Sequence, residues 1–441
     1  MRKLFYITLT TCILTCSKES MLAQNASDTL SQEATLQNCI QYALKHYPLL
    51  QQNLLDQEIT EHQIKSRLSE WYPQVNLTAN YTNNFQLQSV YFAGQVVNNG
   101  SYNSATVGFG ATQNIFNRDV LLASRSARDV RLQTKQQTVS TKIDIAVNVS
   151  KAFYDVLLTK EQIQLVDEDI VRLQRNLKDA YNQYQFGIVD KTDYKTATIT
   201  LNNSKADKKN YQEALKAKLV YLKQQMGYTG KDSLGILYDS AAMEKEIFVD
   251  TTAEITLENR IEYQLLQTEK RLEEYNLKYY KWAYIPVISA FGQYNLNYIN
   301  YRFPALFSPN YPNSYAGLQL AFPIFQGTKR TQDIRVAELQ LKRVDWDIES
   351  LKTVVNSEYA AALATYKSNF FDYRILKENV ELAREVYNTV ELQYRSGVKA
   401  YLDVITAETN LRSAQSNYTN AIFQLLSSKL DVQKSLGTIQ Y

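Results

Sequence analysis

"QYRSGVKAYLDV" (residues 393–404) interrupts a stretch that otherwise reads as one very long helix, and "QYQFGIVDKTDY" (residues 183–194) interrupts the first half of the chain in the same way. The two align without gaps at an offset of 210, pairing Gln183 with Gln393, Tyr184 with Tyr394, Gly187 with Gly397 and Asp193 with Asp403. Downstream the register holds through Thr196/Thr406, Leu201/Leu411 and Gly227/Gly437. A repeat of about half the chain is far longer than the roughly 20–50 residues of a solenoid unit, so two fused copies of one structural unit are expected.

Upstream of each quoted turn lies an unbroken helical pattern, over 118–184 and again over 328–394. At 1.5 Å per residue each would be about 100 Å long. Toward the turns the two share a heptad: Ile163, Val166, Ile170, Leu173, Leu177, Ala180 and Tyr184 match Tyr373, Leu376, Val380, Ala383, Tyr387, Val390 and Tyr394. This 3–4 spacing predicts coiled-coil packing. Farther upstream Ile334, Ala337, Leu341, Val344, Ile348, Leu351 and Val355 hold another phase, so residues 355–359 form a stutter that locally unwinds the supercoil. Return helices are expected over 188–227 and 398–437, each closing on a glycine.

Before each long helix the period changes to two. In "QVNLTANYTN" (74–83) Val75, Leu77, Ala79 and Tyr81 alternate with polar neighbours, and Val107, Phe109 and Ala111 repeat the device before Phe116. In the second half Ile288, Ala290, Tyr294, Leu296 and Tyr298 alternate, then Ala316, Leu318, Leu320, Phe322 and Ile324. Strand pairs are therefore expected within 74–116 and 287–325. Each follows a helix, about 35–69 and 255–280, that ends at a tryptophan and proline, because proline disfavours helix in the residue before it. The loop near Asn98, Asn99 and Gly100 reads as polar, and the one over 300–315 as an aromatic, proline-rich surface loop.

Only 13 Gly and 7 Pro in 441 residues allow few turns, which fits long elements. Residues 1–23, with Arg2 and Lys3 before an apolar run and small residues ending at Ala23, have the layout of a secretory signal peptide. The organisation is then a signal peptide over 1–23, a first repeat over 24–227, an insert over 228–253 and a second repeat over 254–441. Cys12 and Cys16 fall in the leader, where Cys16 offers a lipoprotein cleavage site as a second reading. Cys39 alone remains, too few for an intrachain disulfide and expected to be a buried, unreactive thiol. Arg2, Lys3, Lys18 and Glu19 account for +2 of the chain's net +3, leaving about +1, which gives nucleic acid no electrostatic hold. After the leader no run reaches the roughly 18 apolar residues of a membrane-spanning helix.

If this chain crosses a bilayer, strands must do it. Four strands cannot close alone and open edges do not survive in lipid. Several copies must share one barrel; two would leave little lumen and three would give twelve strands. Trp71, Tyr72, Phe116, Trp282, Tyr284 and Phe325 stand at the strand ends, where an aromatic belt meets the lipid headgroups.

In the duplication, the strand pairs, the long helices and the "YxxG" turns with an aspartate six residues after the glycine, the chain resembles the TolC-like outer-membrane efflux proteins of Gram-negative bacteria. The resemblance covers essentially everything after residue 23. It implies a mainly α fold with a membrane β-barrel part. In that arrangement a homotrimer in outer-membrane lipid carries a twelve-stranded barrel and a twelve-helix periplasmic tunnel. It also implies a passive exit duct for an inner-membrane pump (RND, ABC or MFS type) or a type I exporter, docked through a periplasmic membrane-fusion adaptor. The quoted turns would be the hairpin tips at the tunnel's far end. There Asp403 would project into the lumen once per chain, with a helix-capping role as the alternative. Where some relatives carry a second acid this chain has Thr406. Asp193, Thr192, Tyr394 and Lys399 would hold neighbouring hairpins closed, or else are solvated surface. Gly187, Ile188, Gly397 and Val398 would form the adaptor-docking tip, or serve only the turns.

No enzyme is expected. His46 and His62 are the only histidines, so no multi-histidine metal site can be built, and no cofactor is implied. "GYTGKDS" lacks the spacing of a phosphate loop and reads as a turn. The alternative to a duct is an exported periplasmic coiled-coil scaffold without channel activity, resting on the heptads alone.

Overall fold

The computed structural model describes residues 34–230, 234–236 and 247–441. The expected signal peptide and part of the 228–253 insert lie outside the described residues. Seven helices are described: α1 (Leu36–His46), α2 (Pro48–Leu68), α3 (Arg118–Gln185), α4 (Lys191–Met226), α5 (Ile261–Lys281), α6 (Lys329–Arg395) and α7 (Tyr401–Leu436). Six strands accompany them: β1 (Gln74–Asn83), β2 (Gln88–Phe92), β3 (Gln95–Asn99), β4 (Asn103–Phe116), β5 (Val287–Asn300) and β6 (Asn313–Ala321). None of the described helices is long and apolar enough to cross a membrane.

Four strands form one antiparallel sheet in the order β1-β4-β5-β6, so β4 and β5 join the two repeats edge to edge. Pairing keeps the alternation in phase across the sheet. Leu77 lies opposite Phe109, Phe109 opposite Tyr294, Val107 opposite Leu296, and Ala290 opposite Leu318. One face is therefore apolar from edge to edge. The other carries Asn76, Thr78, Thr106, Gln293, Asn295, Asn297 and Gln319, tied across strands by Thr106 Oγ1 donating to Asn297 Oδ1 at 3.0 Å and along β5 by Gln293 Nε2 donating to Asn295 Oδ1 at 3.0 Å. It holds no charge. Among the described residues, strands β1 and β6 each leave one side without a partner.

Three details differ from the sequence reading. The helix expected over 35–69 is two helices, because Pro48 opens α2 at its first turn while Tyr47 turns extended (φ −65°, ψ 123°). The loop expected to be plain between β1 and β4 contains the hairpin β2–β3, closed by Ala93 and Gly94 at φ 50° and 87°. The last strand stops at Ala321, short of Phe322 and Ile324, since Pro323 has no N–H for the ladder; Phe325 therefore stands past the strand.

Helices α3 and α6 are single elements of 68 and 67 residues. Arg395 and Gln185 end them, and α7 and α4 return antiparallel to Gly437 and Gly227. The expected α6 seam is buried at Ala337, Val344, Ile348 and Val355, then at Val380 and Tyr387. In α3 the buried line near the tip runs Val166, Asp169, Leu173, Asn176, Ala180. Ile170 and Leu177 are only half-buried, because α3 is covered by α4 on one side and α7 on another and the seam facing α7 contains polar side chains.

The main core lies at the waist of the bundle. Leu50, Val149, Val156, Leu222, Met226, Leu425 and Leu426 pack there with Cys39 and the insert residue Ile247. Tyr359, at the end of the expected stutter, donates to Ala253 O at 2.7 Å, and Tyr366, two turns on, donates to Ile247 O at 3.0 Å, so the described insert residues strap α6. Burial pushes the Cys39 thiol up to about 12, leaving it protonated and inert at neutral pH.

Candidate functional site

Two regions at opposite ends of the long helices carry the residues singled out above. At the tip, both turns use the same backbone device. Gly187 N–H reaches Tyr184 O at 3.0 Å and Ile188 N–H reaches Gln183 O at 2.9 Å; Gly397 and Val398 repeat this on Tyr394 O and Gln393 O, both at 2.9 Å. These are crossed bonds of the Schellman type, and they put the glycines at φ 72° and 76°, where a side chain costs energy. Ile188 and Val398 are 71% and 72% exposed, so the turns hold them out in water with Phe186 beside Ile188 at 80%. Such knobs are costly in an isolated chain.

The caps on the return helices differ. Asp190 precedes α4 and accepts from Thr192 N–H at 3.4 Å, which leaves Asp193 without a capping role. Partial burial, and then the neighbouring Asp190 carboxylate, raise the Asp193 carboxyl above its ordinary range. Ala400 precedes α7 and has no side-chain acceptor. Asp403 therefore reaches back to accept from Ala400 N–H at 3.2 Å, with Lys399 Nζ 3.9 Å away. The helix-capping alternative for Asp403 is thus present within one chain.

Tyr394 ties the two hairpins together: its hydroxyl donates to Gln183 Oε1 at 2.8 Å. Burial, followed by the charges of Asp193 and Asp179, holds the phenol above its usual value and keeps it a donor. Tyr394, Gln183 and Asp193 are thus brought together. Lys399 is not; its ammonium lies 3.9 Å from Asp403 on its own hairpin. Thr192 offers its N–H to Asp190 and its carbonyl to Thr196 Oγ1 at 2.9 Å.

At the other end, Trp71, Trp282 and Tyr284 sit in short 3-10 turns before β1 and β5, Tyr72 follows the first of these turns in extended conformation, Phe116 closes β4 and Phe325 follows β6. Antiparallel pairing brings all six to one rim of the sheet, the rim nearest the helices. Basic groups stack on them, with Arg330 over Tyr284 at 4.3 Å and Arg125 over Trp282 at 5.4 Å. The far rim was not foreseen. Tyr81 packs edge-on to Phe303 (5.6 Å), Tyr298 to Phe307 (5.4 Å) and Tyr102 to Tyr301 (6.0 Å), over the fully buried Leu306. The aromatic loop signalled this second girdle, had it been paired with the ends of β1 and β5. Also missed were Asp169, Asn176 and Glu408, buried between the hairpins.

Among the described residues no group of three or more His, Cys, Asp or Glu is placed to hold a metal ion. The arrangement is suited to shape and passage, with a two-faced sheet at one end and paired turns at the other.

Known proteins share this arrangement. The chain is 21% identical over 433 residues to outer membrane protein TolC of Escherichia coli, covering 95% of this chain and 85% of that one. The solved outer-membrane protein VceC of Vibrio cholerae superposes with a TM-score of 0.73 at 14% identity, over 91% of this chain and 96% of that one. The open-state MtrE outer membrane channel of Neisseria gonorrhoeae gives 0.72 at 20% identity, over 91% and 88%. The family described as "Outer membrane efflux protein" matches residues 39–228 and 257–438, most of both repeats. The chain is therefore a member of the outer membrane efflux protein family, an outer-membrane protein whose helices reach into the periplasm.

Proposed function

We propose that three copies of the chain close into one barrel and tunnel, a passive exit duct across the outer membrane and periplasm. The observation that carries this is the sheet itself. It is apolar on one face, uncharged and polar on the other, and open along both β1 and β6. In lipid those edges need partners, and β6 of one copy beside β1 of the next supplies them. Three copies give twelve strands, enough to surround an aqueous lumen lined by the Asn, Gln and Thr face. The alternative of a soluble scaffold leaves Val75, Leu77, Leu318 and Leu320, 63–73% exposed, without a reason to alternate.

The duct would serve an inner-membrane pump or a type I exporter through a periplasmic adaptor, since nothing along it supplies energy. Gly187, Ile188, Gly397 and Val398 then form the docking tip, with the apolar knobs covered by the adaptor. Asp403, Asp193, Thr192, Tyr394 and Lys399 form the constriction, with the Tyr394–Gln183 bond as its intrachain lock. Trp71, Tyr72, Phe116, Trp282, Tyr284 and Phe325 mark the periplasmic headgroup level. Reconstitution into planar bilayers tests the reading: discrete conductance steps support the duct, and an unbroken bilayer at high protein load contradicts it.

A further inference from the structure

The two helical hairpins, α3/α4 and α6/α7, meet toward the tip through a small core of Ala180, Ala197, Tyr387, Tyr401, Val404, Ala407 and Leu411. Within the same stretch of α7, between Ala407 and Leu411, Glu408 enters the interface and is 5% exposed. Facing it from α3 are Asp169 (1% exposed), Arg172 and Asn176; from α6, Tyr387 and Glu391; and from α7 itself, Tyr401 and Arg412. Asn176 Nδ2 donates to Glu408 Oε2 at 3.2 Å, while Arg172 Nε lies 3.8 Å from Glu408 Oε1.

Arg172 is already engaged, because its Nη2 donates to Asp169 Oδ1. Arg412 turns the other way, to Asp207 Oδ2 at 3.4 Å and Ser204 Oγ at 3.3 Å on α4. Glu391 is held by Arg395 at 2.6 Å. The interface thus places three carboxylates, Asp169, Asp207 and Glu408, against two guanidinium groups. Glu408 is the surplus one and is deeply buried. Among the described residues, its Oε1, Asp169 Oδ2, Arg172 Nε and the Tyr401 hydroxyl are buried without a hydrogen-bond partner. A carboxylate charge this deeply buried, with its one nearby guanidinium 3.8 Å away and shared with Asp169, is expensive, and a proton removes it.

We propose that Glu408, with Asp169, Arg172, Asn176 and Arg412, forms a proton-operated tie between the two hairpins, firm when Glu408 is protonated and loosened when it ionises. This deepens the duct reading by giving the tip end of the tunnel a built-in response to pH. Burial pushes the Glu408 carboxyl up to about 7, against the pull of Arg172, Asn176 and Arg412. A carboxyl whose packed-state value lies above its ordinary one favours the packed state at low pH, and that advantage disappears as pH rises through about 7. Tyr387 and Tyr401, both raised first by burial, stay neutral across that window.

Amide hydrogen exchange of the full chain in detergent, corrected for the intrinsic pH dependence of exchange, tests this on the peptide covering residues 401–411. Protection in the wild type is expected to fall progressively from about pH 4.5 and to level off above about pH 7, while Glu408→Gln keeps its low-pH protection up to about pH 8.5. The conservative Glu408→Asp is expected to retain a step. A wild type with no step, or a step that survives in Glu408→Gln, overturns the tie; the wild-type measurement decides even if the variant fails to fold. Exchange is read whether or not the protein conducts, so absent conductance counts against the duct alone.

Discussion

Helices α3 and α6 occupy equivalent places in the two repeats and differ by one residue in length, yet 22 side chains of α3 are buried and only eight of α6. The difference lies in what covers them. Helix α3 is packed by α1, α2, α4, α5 and α7. Arg131 to Glu61 at 2.6 Å and Arg271 to Asp129 at 2.7 Å close its flanks. Helix α6 meets α5 and α7 and leaves Val336, Leu339, Trp346, Val354, Phe371 and Leu382 in the open. On α2 the apolar Leu49, Leu54, Leu55 and Ile59 are exposed as well. Helix α3 is thus largely covered within one chain, whereas α6 and α2 keep apolar side chains that wait for neighbours.

That contrast can be broken by mutation. Phe153→Ala, in the waist around α3, should cost about 3–5 kcal/mol in denaturant unfolding, the ordinary price of emptying a packed aromatic site. Trp346→Ala on the open side of α6, 75% exposed, should leave the unassembled chain within about 0.5 kcal/mol and instead weaken association of copies. Equal losses for the two would erase the distinction between a covered and a waiting helix.

A smaller effect compares the two ends of α7. Gly437 and Gly397 have nearly the same φ, 71° and 76°, but a Cβ at Gly437 would stand 2.6 Å from Asn259 O, while one at Gly397 would meet nothing within 4 Å. Gly397→Ala should therefore cost only the left-handed strain, about 1 kcal/mol, and Gly437→Ala distinctly more, as read from thermal unfolding. Tyr394→Phe removes one hydrogen bond of about 0.5–1.5 kcal/mol, and with it the direct tie to Gln183. Single-channel conductance should rise; an unchanged value would take Tyr394 out of the gate. Least is expected of Asp403→Ala, which loses about 0.5–1 kcal/mol of helix cap. If the carboxylate also lines the constriction, block by multivalent cations weakens in the same variant.

The sheet was legible because side-chain alternation is a local signal that survives any tertiary context: Val75 to Tyr81 and Ile288 to Tyr298 name their faces without help. The long helices were legible because neither 118–185 nor 329–395 contains a glycine or a proline. Local signals failed where one residue outweighed the period. Pro48 divided a helix and Pro323 shortened a strand, both by the missing N–H. The hairpin β2–β3 was hidden because Ala93, not a usual turn residue, adopts positive φ. Of the candidate site, the tip turns could be read from Gly187 and Gly397, whereas the Tyr394–Gln183 bond joins residues 211 apart and needs the fold. Glu408 had a signal that went unread. Along α7 the buried series Tyr401, Val404, Glu408, Leu411, Gln415 keeps heptad spacing, and a carboxylate at such a core position marks a place where packing and charge conflict.

The mass of the detergent-solubilised protein, measured by light scattering with the detergent contribution subtracted, tests the central claim most directly. Shared closure of the sheet predicts three times the mass of one chain, including when the protein is diluted. A particle with the mass of a single chain, folded and stable with β1 and β6 unpaired, would contradict it.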